Sequence, residues 1–155
     1  MRDSLATAWG DVRIGLFIGL ISLLVYIFQW NLPFRLNVII VCVLLFSVCM
    51  SRSIVYILFL VGWLILVKYT HAPSLELLVI GGMGIVTYIG KRFFITPSKH
   101  GIFLMILLVL WTIVFWILFG AGEIGSSLFF LELISSLAYA MILYGGILWL
   151  RKIFI

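Results

Sequence analysis

The stretch from Phe59 to Phe94, FLVGWLILVKYTHAPSLELLVIGGMGIVTYIGKRFF, decides the fold class. Two apolar runs stand either side of His71-Ala72-Pro73, and the second ends on Lys91-Arg92. Proline lacks an N–H and has a fixed φ, so it belongs between helices rather than inside one. Runs of this length and apolarity, either side of a break, read as a hairpin of two transmembrane helices.

The same pattern continues outward in both directions. Apolar runs and their breakers define six spans: Ile14 to Trp30, Leu36 to Met50, Ser53 to Val67, Ser74 to Gly90, Gly101 to Gly120 and Ser126 to Leu150. The breakers are Asn31-Leu32-Pro33, Ser51-Arg52-Ser53, His71-Ala72-Pro73, Thr96-Pro97-Ser98 and Gly120-Ala121-Gly122. Several spans fall short of the roughly 20 residues needed to cross the hydrocarbon, so they extend into their flanks or sit in a locally thin bilayer. The expected fold is all-α, a single transmembrane domain over residues 1–155 built as a six-helix bundle. The N-terminal run is longer than a signal-peptide core and lacks an A-x-A site, so it reads as a retained first helix.

Composition excludes the alternatives. Of 155 residues 66% are apolar and 10% charged, whereas soluble domains carry about 25% charged residues. A disordered chain is excluded by the same figures. No polar stretch between apolar runs exceeds about a dozen residues, too few for a separate catalytic domain. The net charge of +5 comes without a basic run interleaved with aromatics, so nucleic acid is not an expected partner.

Charge instead sets orientation. With six spans, Arg2, Arg13, Arg52, Lys91, Arg92, Lys99, Arg151 and Lys152 share one side, and Arg35 and Lys68 lie on the other. Such a bias places both termini in the cytoplasm and the chain in the inner membrane as a multi-pass protein. Fusing the second and third runs into one helix would bury Arg52 and put Lys91, Arg92 and Lys99 opposite the basic N-terminus, so five spans are rejected. Trp9, Trp30 and Trp149 fall near the expected interfaces, while Trp63, Trp111 and Trp116 lie deeper and read as gap fillers.

Polar residues within the spans are few and patterned. In the first span Gly15, Gly19, Ser22, Tyr26 and Gln29 form one stripe at helical spacing. Gly15-x-x-x-Gly19 permits close backbone approach, and Tyr26 or Gln29 can hydrogen-bond across an interface. The stripe serves either packing against another helix of this chain or docking of another protein. The sixth span has a similar stripe in Glu132, Ser135, Ser136, Tyr139 and Gly146. An ionised Glu132 in lipid would cost several kcal/mol unless paired, neutralised or hydrated. The cations on its side are Lys68 and Arg35, and Glu76 begins the fourth span there, so these residues form the expected intramembrane polar cluster. A structural ion pair, a substrate or proton site and an interprotein contact are all open to it. Gly81, Gly82 and Gly84 mark tight helix contact or a kink in the fourth span. The second and fifth spans are apolar nearly all round and are expected at lipid-facing or peripheral positions.

Chemistry-bearing patterns are sparse. His71 and His100 are expected on opposite sides, and there is no HExxH, GxSxG or phosphate-cradling glycine loop. Cys42 and Cys49 are seven residues apart, about 10 Å along a helix, and cannot bridge within it; with no metal-ligand spacing nearby, they read as core residues. No catalytic residue, metal site or cofactor is expected.

The hairpin also resembles the central hairpin of the rod-shape-determining MreD family. The likeness lies in a glycine in the first helix, a short outer turn, small residues in the second, and the basic-aromatic exit Tyr88-Ile-Gly-Lys-Arg-Phe-Phe94. Size, span number and cytoplasmic ends agree. The resemblance implies a non-enzymatic integral subunit that binds the membrane-anchored scaffold MreC and supports cell-wall elongation and cell shape. It also implies a helix arrangement similar to the S-components of vitamin transporters, so a small-molecule-binding membrane subunit is the alternative. An accessory helical subunit of a larger respiratory or secretion complex is a third. Expected partners are thus membrane lipids and other integral membrane proteins.

The topology is testable directly. A cysteine probe at Lys99 should be labelled only from the cytoplasmic side and one at Ala72 only from the outside; labelling of both from one side would refute the orientation.

Overall fold

The computed structural model describes residues 2–28, 37–68, 74–94, 99–119 and 127–154. They form six helices: α1 (Arg2–Phe28), α2 (Val38–Cys49), α3 (Ser53–Lys68), α4 (Ser74–Phe94), α5 (His100–Phe119) and α6 (Ser127–Phe154). There is no strand among the described residues. Each helix corresponds to one apolar run, and the proline-containing breakers lie outside the described residues. Three segments are long and apolar enough to cross a membrane, Ala8–Phe28, His100–Phe119 and Ser127–Ile153, and α2 and α3 are shorter apolar helices.

α2 is the centre of the bundle. It touches all five other helices, and every residue from Val38 to Cys49 except Ile39 is buried. The expectation that this run would be peripheral is therefore corrected. A helix that is apolar all round suits lipid or a protein core equally, and burial by five neighbours is a tertiary outcome. α5 matches its peripheral assignment: Leu104, Leu108 and Thr112 are buried, a single stripe at a spacing of four, while Ile102, Ile106, Leu110 and Ile117 are exposed.

Successive helices alternate in direction. Asp11 near the start of α1 meets Ser51 beyond the end of α2, and Lys91 and Arg151, near the ends of α4 and α6, reach the same place. Gly101 at the start of α5 lies against Tyr144 of α6. One end of the bundle consequently carries Arg13, Arg52, Lys91, Arg92, Lys99, Arg151 and Lys152, and Lys68 lies at the other.

Small residues set the closest helix approach. A Cβ on Gly84 would stand 2.5 Å from Val43 Cγ1 and 3.0 Å from the Tyr56 hydroxyl. Its absence lets α4 approach α2 until the Gly84 carbonyl lies 3.0 Å from Ser47 Oγ. Ser47 Oγ also lies 2.7 Å from the Val43 carbonyl and 3.3 Å from the Tyr56 hydroxyl, so one buried hydroxyl ties together α2, α3 and α4. Tyr56 in turn stacks on Tyr88, with ring centroids 4.2 Å apart. The two glycines before Gly84 differ: Gly81 faces Leu64 at 3.0 Å, and Gly82 faces open space.

These contacts give an ordered expectation. Gly84→Ala should lower stability by about 1–3 kcal/mol through overpacking, whereas Gly82→Ala should be neutral or slightly stabilising because alanine favours helix. Reversible unfolding in mixed micelles, followed by circular dichroism, measures both.

Candidate functional site: the two ends of the buried helix

A helix of 12 residues is about 18 Å long, well short of a hydrocarbon layer of about 30 Å. Val38 at its start and Met50 just past its end are both buried, so the unpaired N–H groups at its start and C=O groups at its end lie inside the bundle, where each lacks an intrahelical partner. Leaving such groups unsatisfied away from water is expensive. Polar side chains from α1, α4, α5 and α6 meet at or next to these two ends.

At the first end the organising residue is Asn37. Its side-chain oxygen accepts from the Ile40 N–H at 3.3 Å, the N-cap geometry that asparagine favours. Its own backbone N–H donates to Ser136 Oγ at 3.1 Å, and its side-chain amide donates to Glu132 Oε1 at 3.1 Å. The other carboxylate oxygen of Glu132 accepts from Trp116 Nε1 at 3.2 Å. Glu132 thus lies at the junction of α2, α5 and α6. A negative charge beside a helix N-terminus is favoured by the helix dipole.

At the second end, basic side chains take the carbonyls. Lys91 Nζ donates to the carbonyls of Val48 at 3.1 Å and Met50 at 2.5 Å, and Arg151 donates to that of Cys49 at 2.6 Å. Cations at a helix C-terminus complement its dipole. The Ser51 carbonyl accepts from the Tyr88 hydroxyl and from Arg92. Lys91 and Arg92 also lie 4.9 and 5.1 Å from the centre of the Tyr88 ring, within cation–π range.

Asp11 completes this end. It is only 4% exposed and accepts from the backbone N–H groups of Ser51 and Arg52 at 3.0 and 2.8 Å, and from the Ser51 hydroxyl. The Arg52 carbonyl accepts the first bond of α3, from the Tyr56 N–H. Asp11 therefore caps α3 from a different helix while cations cap α2 beside it.

The residues expected from sequence fall into three groups. The α1 and α6 stripes meet each other: Tyr139 donates to Ser22 Oγ at 3.0 Å with both residues buried, and Gly146 lies against Phe17. Gly15 is packed against Phe59 and Met50, Gly19 has only Phe46 nearby at 4.0 Å, and Tyr26 is buried. Ser135 bonds back to the Glu132 carbonyl at 3.0 Å. The remaining polar residues are not brought together: α3, which ends at the exposed Lys68, and α4, which begins near Glu76, do not touch α6. Gln29 and Arg35 lie outside the described residues, as does Trp30.

Sequence reading missed Asn37, Trp116 and Asp11 as members of these sites. Asn37 stood inside the edge of the run Leu36 to Met50, and an asparagine immediately before the unbroken apolar stretch from Val38 was the available N-cap signal. Trp111 and Trp116 also do more than fill gaps, since Trp111 donates to Thr87 Oγ1 at 3.2 Å. Cys42 and Cys49 are free and buried, and the described residues contain no group of histidine, cysteine and acidic side chains that would hold a metal.

The fold and these contacts define an all-helical bundle organised around a buried, side-chain-capped helix. No family model, curated protein or solved structure matches the chain.

A double-mutant cycle tests the first end. Asn37→Ala and Glu132→Ala should each destabilise the protein, with a coupling energy of about 0.5–3 kcal/mol between them. Lys68→Met should be additive with Glu132→Ala. At the second end Asp11→Ala should cost about 1.5–3 kcal/mol, the range for hydrogen bonds to a charged group.

Proposed function

We propose that this chain is a non-enzymatic subunit of the cytoplasmic membrane that crosses it six times, keeps both termini in the cytoplasm and docks partner membrane proteins. By its resemblance to the MreD family, the partner is a membrane-anchored scaffold of the MreC type in the cell-wall elongation machinery. The observation that carries this is the use made of the buried polar groups. Asp11 and Lys91 are engaged with backbone atoms of α2 or of its connection to α3, and Ser136 and Glu132 with the backbone and side chain of the Asn37 cap. Groups held in this way stiffen a bundle, and the outward faces of the other helices remain as broad apolar surfaces. Exposed residues such as Leu20, Ile57, Val86, Ile106 and Ile142 lie on five different helices, so partner and lipid contacts divide among these faces.

Photo-crosslinking residues placed singly at those five positions test the proposal in cells. Reaction with one single-span scaffold protein from one face, and with lipid from the others, is expected. Capture of an ATPase module with a coupling subunit would favour small-molecule uptake instead, and absence of any protein adduct from all five would refute a docking role.

A further inference from the structure

We draw no further inference here: the strongest candidate, the apolar groove between α1 and α3 lined by Gly15, Gly19, Phe46, Gly62 and Trp63, is an unpartnered face, and nothing in the structure shows what covers it.

Discussion

The other five helices bury α2 from Val38 to Met50, so the N–H groups at its start and the C=O groups at its end have to find partners within the protein. The polar contacts at the two ends of α2 answer that constraint. Asn37, Glu132 and Ser136 satisfy or support the start of the helix, and Lys91 and Arg151 cover the carbonyls at its end. Because the donors and acceptors come from α4 and α6, the ends of α2 also fix where those helices sit. A caps-first architecture of this kind is selective about register: sliding α6 by one turn would move Glu132 away from Asn37 and Arg151 away from Cys49 together.

Electrostatics follows the same geometry. The acidic Glu132 lies at the helix end where the dipole is positive, and Lys91 and Arg151 lie where it is negative. Asp11 is drawn into the basic end by the N-terminus of α3, which three residues separate from the end of α2. Two helix termini of opposite polarity thus adjoin one another across the short connection Met50–Arg52, and their capping charges compensate each other locally. The buried charges are tolerated because each meets backbone dipoles or hydrogen-bond donors rather than lipid.

Close approach depends on removal of side chains at a few points. Gly84 brings α4 onto α2, and Gly15 admits the Phe59 ring and the Met50 methyl. Hydroxyl pairs such as Ser22 with Tyr139 then cross the gaps that apolar contact alone would leave unspecific. On the outer side, glycines do the reverse: nothing stands within 4 Å of a Cβ at Gly62 and only Phe46, at 4.0 Å, at Gly19, and a groove results.

Helix number and placement were readable in the chain because each rests on local chemistry. An apolar run long enough for a helix, ended by proline, glycine or a charged turn, forms a helix whatever its neighbours do. The runs from Ser53, Ser74 and Gly101 begin within one residue of α3, α4 and α5. Gly15, Ser22, Ser136 and Tyr139 could likewise be singled out, since small and polar residues at helical spacing mark a face turned from lipid. Which apolar helix is central was not readable, because leucine, valine and isoleucine meet lipid tails and protein side chains with nearly equal free energy. The contacts that Glu132 makes with Asn37, 95 residues away, and with Trp116 were not readable either; of the two cations that charge arithmetic proposed beside it, Arg35 lies outside the described residues. Hydrogen bonding at that distance in sequence depends on which helices touch, and that is settled by fitting side chains around α2 rather than by any local pattern.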